Sequence, residues 1–449
     1  MVAACLGSLA TGASAQTSAG ARPYAGVTLN FIGEETTQTD ILKKLLPEFT
    51  KETGIKVNIE EAPYDTVVQK EILDFSTHKA SYDVESMPYE YLGSYAEKGY
   101  IQPIDSYLNS PKWTPASFDK NDIIPKLWMD ASNWKGKFYG FPSESPVMMM
   151  FYRQDLFSNP AEKKAFMAEY HYPLAPAETL QQYRDIAQFF TRKRGQRLAG
   201  KVLTYNFYGV ATAAKRHIAT FCEWMNYAWD YGGGIFDKQG NLINNSAANK
   251  EALTYWVGLT KYAPPGYTTY TWDEVTSAFQ QGIVAEAITW GDTASAVEDP
   301  SQSKVAGEMG FANIPKASPS GPLIAHYGGW SYVINRDSQN KDAAYLFMRW
   351  ALSKNVQLQL AEMGGLPART STFEDKALNA KFPYWSQELS SLRISTPRPR
   401  IPQFGAIASD LELGLSKALA HEESPSVALD NVQKAMEQTM KGALPVTYQ

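Results

Sequence analysis

The segment closest to a known chemical motif is a glycine and lysine run at residues 195–201. It reads GQRLAGK, which has the spacing of a phosphate-binding P-loop, but Val202 stands where such a loop carries its magnesium-binding Ser or Thr. A P-loop follows a strand and opens a helix, whereas this run follows a predicted helix and enters a predicted strand. We interpret it as a basic surface turn, and the glycines at 232–234 as a helix stop. The sequence therefore predicts no nucleotide site and no cofactor.

Metal and nucleophile chemistry has no local support either. No Cys-x-x-Cys, His-Glu-x-x-His or Gly-x-Ser-x-Gly pattern occurs, and no two histidines stand at metal-ligand spacing. The histidines are His78, His171, His217, His326 and His421. A glycosidase needs only two opposed carboxylates, which 47 acidic residues leave open. A secreted carbohydrate-active hydrolase is thus the alternative to a binding protein without catalytic residues.

Aromatic residues are the abundant chemical resource of this chain, with 11 Trp and 26 Tyr. Sugars present C–H faces that stack on rings, and their hydroxyl groups need carboxylate, amide and guanidinium partners. Most single aromatic residues are core packing, because burial is where large rings usually go. Rings in loops that follow strands are the candidates for ligand contact.

Length and composition describe the protein that must position these groups. With 449 residues the chain exceeds one ordinary core, so two domains are expected. Its 42 basic and 47 acidic residues leave a formal charge of −5, which gives no indication of a nucleic-acid partner. No run of apolar residues is long enough to span a bilayer, so we expect a protein that is not membrane-spanning.

The first 15 residues resemble the end of a secretory signal peptide. They contain no charge and close on Ala13-Ser14-Ala15, small residues suited to signal peptidase. The basic front of such a segment is missing, so the signal peptide looks truncated. Val2-Ala3-Ala4-Cys5 also resembles a lipoprotein box but has no apolar region before it, so cleavage near Ala15 is the favoured prediction. Cleavage there leaves Cys222 alone, which we interpret as a small buried apolar residue.

The elements predicted from periodicity begin with a strand, a helix and a strand. Residues 27–32 alternate apolar and polar, a helix with Thr36, Thr37 and Thr39 as N-cap candidates runs to Gly54, and residues 55–59 alternate again. Such a connection requires parallel pairing, so the opening domain is α/β. Further predicted elements are strands at 82–84, 138–141, 147–152 and 202–210, helices at 92–98 and 179–192, a turn at 237–241, and a helix beginning at Ser424-Pro425.

Six segments, taken in order, carry a family resemblance. They are FTKETGIKV at 49–57, YGFP at 139–142 with YRQDLF at 152–157, INRDSQNK at 334–341, GGLPAR at 364–369 and PRIPQ at 399–403. Together they resemble the extracellular solute-binding proteins of ABC transporters, the sugar-binding family that includes maltose-binding protein.

That resemblance implies an α/β, two-lobe periplasmic-binding-protein fold with three interlobe crossings and a ligand cleft between the lobes. It divides the chain into a signal-peptide remnant and linker, two parts of lobe 1 and two parts of lobe 2. These are 1–26, then lobe 1 at 27–143 and 314–365, and lobe 2 at 144–313 and 366–449 with the C-terminal helices.

The same resemblance implies a set of ligand-binding residues in loops that meet at the cleft. From lobe 1 and its crossings come Glu35, Gln38, Tyr89, Glu90, Tyr91, Glu144, Gly329 and Trp330. From lobe 2 come Trp224, Trp290, Asp292 and Arg369. Ala408 departs from the family pattern, since maltose-binding relatives carry a stacking Trp at that place, and this argues against maltodextrin specificity.

The expected function is therefore that of a periplasmic, monomeric binding protein and not an enzyme. It captures a small carbohydrate, a mono- or oligosaccharide or polyol, and delivers it to the permease subunits of an ABC importer after hinge closure. Two alternatives stay open: the secreted hydrolase, and a binding protein of the same fold for a non-sugar such as a glycerophosphodiester or a polyamine.

Overall fold

The computed structural model describes residues 22–447. The predicted signal peptide and both cleavage hypotheses lie outside the described residues. Within the described range, no helix has the length and apolar character needed to cross a membrane. Cys222 is fully buried, as predicted for a small apolar residue.

Fifteen strands and nineteen α-helices follow one another along the described chain, interrupted by short 3₁₀ turns. The strands are β1 Thr28–Glu34, β2 Lys56–Ala62, β3 Val84–Pro88, β4 Asn133–Trp134, β5 Lys137–Phe138, β6 Gly140–Pro142, β7 Met148–Arg153, β8 Arg197–Leu198, β9 Lys201–Val202, β10 Tyr208–Val210, β11 Val284–Trp290, β12 Met309–Ala312, β13 Ala325–Tyr327, β14 Trp330–Ile334 and β15 Ser395–Pro397. The helices are α1 Thr37–Thr53, α2 Tyr64–Thr77, α3 Leu92–Lys98, α4 Asp105–Leu108, α5 Pro125–Ser132, α6 Gln154–Ser158, α7 Pro160–Tyr170, α8 Leu180–Phe190, α9 Ile218–Asp230, α10 Ala247–Leu259, α11 Trp272–Gln280, α12 Ala294–Val297, α13 Lys341–Ala351, α14 Lys354–Glu362, α15 Thr370–Phe373, α16 Lys376–Lys381, α17 Tyr384–Arg393, α18 Phe404–Leu419 and α19 Pro425–Thr439.

The first sheet has the strand order β2-β1-β3-β14-β6. β1 pairs in parallel with β2 and β3, and β14 runs antiparallel to β3 and β6. The predicted opening unit is confirmed: the Thr36 side chain accepts from the Thr39 N–H at the start of α1, and Gly54 ends the helix with φ 76°. α1, α13 and α14 bury their apolar faces beside this sheet.

The second sheet has the order β10-β11-β7-β12, with β7 antiparallel to both of its neighbours. β7 and β11 are buried along their whole length, which fits strands covered by helices on both faces. α9, α10, α18 and α19 pack on one another beyond it. The chain leaves the first sheet after β6, enters the second at β7, and returns to the first at β14. The α/β fold is confirmed, whereas the residue boundaries of the lobes stay a prediction.

Three predicted strands differ from the structure. The strand predicted at 82–84 begins only at Val84 as β3, and the one predicted at 138–141 is divided between β5, which ends at Phe138, and β6, which begins at Gly140. The expected single strand at 202–210 is wrong: β9 ends at Val202 and β10 begins at Tyr208. The backbone between them pairs with the preceding turn, since the Leu203 N–H donates to the Gln196 carbonyl at 2.8 Å. Residues 195–202 form an exposed hairpin, which confirms the basic surface turn, and the predicted turn at 237–241 is present.

Candidate functional site

A cavity of about 300 Å³ lies at the strand ends of the two sheets. β1, β3 and β11 reach it with their carboxyl ends, and β14 reaches it with its first residue because it runs antiparallel to β3. This position agrees with the general rule that ligands of open α/β sheets bind outside the carboxyl ends of the strands. The lining residues are Glu34, Glu35, Thr36, Thr37, Tyr64, Pro88, Pro146, Ile218, Trp272, Asp273, Thr276, Gln280, Trp290, Asp292, Thr293, Ala296, Gly328, Gly329, Trp330 and Arg398.

Three rings form one aromatic side of the cavity. Trp330 begins β14 directly opposite Pro88, and its ring meets the Tyr64 ring edge-on with centroids 5.6 Å apart. Tyr64 also contacts the Trp272 ring edge-on at 6.0 Å. The sequence places Tyr64 at the start of α2 after Pro63, and Trp272 at the start of α11 after the Thr271 cap. The rings are thus held at element ends, where they can face a ligand.

Trp290 supplies a fourth ring from the second sheet. It ends β11 opposite Met148, and its ring lies 5.2 Å from that of His326. Gly328 permits this ring position, because a Cβ at residue 328 would lie 2.9 Å from the Trp290 indole. Only 7% of Trp290 and 7% of Trp330 are exposed, so both rings are available to a ligand only from within the cavity.

Four carboxyl groups line the cavity, two from the side of the first sheet and two from the side of the second sheet. Glu34 ends β1 and Glu35 follows it, whereas Asp273 lies at the start of α11 and Asp292 follows β11. Burial raises the pKa of Asp292 to about 6. Burial, reinforced by Glu144 and then Asp292, raises the pKa of Glu34 well above its usual range. Glu34 and Asp292 are therefore close enough for the charge of Asp292 to disfavour that of Glu34.

Two further carboxyl groups lie where the chain passes between the sheets. Burial, with Asp292 as a second cause, raises the pKa of Glu144 well above its ordinary value. Glu388 accepts the Val147 N–H at 2.8 Å, while its other oxygen has no partner among the described residues. Gly291 allows this approach, since any Cβ would collide with the Glu388 carboxyl at 1.6 Å. These groups support the cavity from behind.

A buried ion pair joins the cavity wall to the segment before α18. An Arg398 N–H donates to Glu90 at 3.0 Å, and the Tyr64 hydroxyl donates to the other Glu90 oxygen at 2.6 Å. The Tyr89 hydroxyl donates to the Tyr327 carbonyl at 3.0 Å and accepts the Arg398 backbone N–H at 2.7 Å. Tyr64 and Arg398 line the cavity, whereas Tyr89 and Glu90 do not. Tyr89 and Glu90 therefore act on the cavity by positioning Tyr64 and Arg398.

The structure brings five of the twelve predicted site residues into the cavity lining. These are Glu35, Trp290, Asp292, Gly329 and Trp330. Four more lie behind the lining: Gln38, Tyr89, Glu90 and Glu144. The Gln38 amide donates to the carbonyls of Ser143 at 2.8 Å and Leu366 at 3.3 Å, which ties together two segments that pass between the sheets.

The remaining three predicted residues lie away from the cavity. Arg369 is 0% exposed and donates to the Leu352, Asp119 and Phe118 carbonyls and to Asp122, so its guanidinium joins the end of α13 to the segment between α4 and α5. Trp224 is 1% exposed and stacks on Trp256, and Tyr91 packs between Tyr95 and Phe404. None of the three lines the cavity, which opposes ligand contact.

Sequence reasoning did not name several lining residues. Glu34, Tyr64, Trp272, Asp273 and Arg398 were missed. Four of them lie at the end of a strand or the start of a helix, positions that periodicity and capping residues can locate in a sequence. Glu34 ends β1, Tyr64 begins α2, and Trp272 and Asp273 begin α11. Arg398 lies one residue before the quoted PRIPQ segment. Their shared position at strand ends and helix starts was the available indication.

A model of the family described as bacterial extracellular solute-binding protein matches residues 44–383. The chain is 26% identical over 428 residues to the mannitol-binding protein of Pseudomonas aeruginosa, covering 90% of each chain. It is also 26% identical to a probable amino-acid ABC transporter periplasmic-binding protein of Sinorhizobium fredii, over 97% of this chain and 95% of that one.

Solved structures show the same architecture. An ABC transporter solute-binding protein of Agrobacterium radiobacter in complex with ribitol superposes with a TM-score of 0.81 at 27% identity, covering 93% of this chain and 99% of that one. A maltose-bound protein of T. maritima superposes with a TM-score of 0.77 at 22% identity, covering 92% and 99%, which supports the two-lobe fold alone. With its family match spanning most of the chain, this protein belongs to the bacterial extracellular solute-binding proteins.

Proposed function

We propose that the chain is the substrate-binding component of an ABC importer and captures a small sugar or polyol. The observation that carries the proposal is the cavity, where four aromatic rings and four carboxyl groups stand together at the strand ends of both sheets. Rings suit the C–H face of a sugar, and carboxyl, indole and guanidinium groups suit its hydroxyl groups. Relatives that bind mannitol and ribitol support the same ligand class.

The volume of about 300 Å³ favours a single sugar or a linear polyol over an oligosaccharide, because it is at the lower end for ligand pockets. Ala408, buried inside α18, adds no ring to the cavity and agrees with a small ligand. Five of the residues predicted from the sequence remain proposed ligand contacts: Glu35, Trp290, Asp292, Gly329 and Trp330.

The importer role requires that ligand favours one arrangement of the lobes. A ligand held by residues after β1 and after β11 binds both sides of the cavity and so favours closure by its differential affinity. The closed form is what the permease subunits recognise in this proposal. We place the mature protein in the periplasm, as a monomer.

The test is calorimetry and thermal melting with mannitol, ribitol, erythritol, glucose and maltose, followed by mass analysis of the recovered sugar. We expect binding of at least one small member, recovered uncleaved, and a smaller radius of gyration at saturation by small-angle scattering. Cleaved products would instead establish the hydrolase alternative. A folded protein that binds no member of the panel would contradict the ligand class.

A further inference from the structure

The charges that line the cavity are unequal. Glu34, Glu35, Asp273 and Asp292 contribute four carboxyl groups, and Arg398 is the one Lys or Arg among the described lining residues. None of the four carboxyl groups forms an ion pair with a described residue, whereas Arg398 is already paired with Glu90. The lining therefore contains more acidic than basic groups.

Two of these acidic groups, Glu35 and Asp273, reach the cavity from different segments, and both residues are exposed to solvent. Glu35 raises the pKa of Asp273, after burial and Glu274, although the two belong to segments that follow β1 and begin α11. Lys215 is the cation that opposes this effect, and it does not line the cavity. Like charges brought together repel one another, and a proton or a cation between them relieves that repulsion.

The rings of the cavity suit the same kind of occupant. Trp290 and Trp330 are each more than nine-tenths buried and line the cavity, yet neither indole N–H donates to another described residue. These donors are free for a ligand hydroxyl, and the faces of Trp and Tyr rings attract an ammonium group. A ligand with both hydroxyl groups and a positive charge would satisfy the rings and the carboxyl groups together.

A neutral polyol can also donate hydroxyl hydrogens to these groups, but it carries no charge to compensate a carboxylate that is ionised at neutral pH, such as Asp292 with its pKa of about 6. Burying charge without a partner is far more costly than burying a hydrogen-bonded neutral group. We infer that the ligand is an amine-bearing polyhydroxy compound, an amino sugar or amino alcohol, whose ammonium group lies between the carboxyl groups of the two sides. This inference rests on the proposed function and narrows its ligand class.

Matched pairs that differ only in the amine test the inference: 1-amino-1-deoxysorbitol against sorbitol, and glucosamine against glucose, by calorimetry at neutral pH. We expect the amine of at least one pair to bind tenfold or more tightly than its neutral partner. Its affinity should fall as NaCl is raised, since that attraction is partly screened. Equal or tighter binding of the neutral partners overturns the inference and leaves the proposed function standing. Failure of all four compounds and of the earlier panel overturns both.

Variants locate the source of the preference. Asp273→Asn and Asp292→Asn remove one charge each with little change in shape, so the amine-to-neutral affinity ratio should fall severalfold in each. Binding of the neutral partner reports that the site is still formed. Glu52→Gln removes an exposed carboxylate at the end of α1 and is the matched control, for which the ratio should not change. An unchanged ratio in both Asn variants overturns the inference.

Discussion

Trp224 and Trp290 lie in two regions of the protein that use the tryptophan ring differently. Trp224 lies within α9, a helix buried on almost every side, and its ring stacks on Trp256 with centroids 6.3 Å apart. Trp290 ends β11 and is followed by Gly291, so its ring turns into the cavity. Both are more than 90% buried, and exposure alone does not separate them. The surroundings of the two rings separate them, because the Trp224 ring has protein on all sides and the Trp290 ring has the cavity on one side.

The same contrast separates two buried arginines. Arg369 donates to three backbone carbonyls and to Asp122, so it joins the end of α13 to the segment between α4 and α5. Arg398 pairs with Glu90 and lines the cavity, with a buried Nε that has no partner among the described residues. A buried guanidinium is thus structural where backbone oxygens surround it, and available to a ligand where one side is open.

The largest effect is expected from Trp224→Ala. Removing a fully buried ring leaves a void in the helical layer, so the free energy of unfolding should fall by about 3–5 kcal/mol in chemical denaturation. Ligand affinity of the folded protein should stay at the wild-type value. Weakened affinity together with unchanged stability would place Trp224 at the site and break the comparison.

Arg369→Met is expected to lower the free energy of unfolding by roughly 3 kcal/mol, because it leaves buried carbonyls and Asp122 without their donor. Affinity measured by calorimetry should not change. Arg349→Met, at another arginine that donates to a backbone carbonyl, is the matched control and should behave in the same way. Loss of binding in Arg369→Met alone would restore the contact proposed from the sequence.

Trp330→Ala should show the opposite pattern to Trp224→Ala. Losing a ring that faces the ligand should weaken binding by about 1–3 kcal/mol, while stability falls less than in the Trp224 variant. The measurements are a titration and a denaturation curve on each protein. If Trp330→Ala instead lost most of its stability and kept its affinity, the ring would belong to the core.

The smallest effect concerns pH and the carboxyl groups. The pKa of Asp292 is raised in the folded protein to about 6, so the folded state binds this proton more strongly than the unfolded state. The resulting stabilisation is present below the unfolded pKa near 4 and is lost as pH rises through about 6. Asp292→Asn should therefore reduce the decline in unfolding free energy between pH 4.5 and 7 by roughly 1–2 kcal/mol. An identical pH profile in the variant would show that this carboxyl is not perturbed.

The sequence by itself determined the local elements and the family. The Thr36 cap, the Gly54 stop and the Ser424-Pro425 start were all readable, because caps and periodicity depend on residues within one or two turns. The same locality explains the failure at 202–210, where apolar composition favoured a strand but the backbone pairs with the turn before it. The ordered motifs at 49–57, 139–157 and 364–369 were enough to indicate the fold.

Only the tertiary structure decided which of these residues share the cavity. Glu35 and Asp273 are more than 200 positions apart, and Trp330 meets Tyr64 because β14 returns to pair with β3. No local pattern distinguishes Arg369 from Arg398, since both follow a proline-containing segment and both are buried. Periodicity fixes which face of an element is apolar, whereas the choice between core and cavity depends on what the opposite element leaves open.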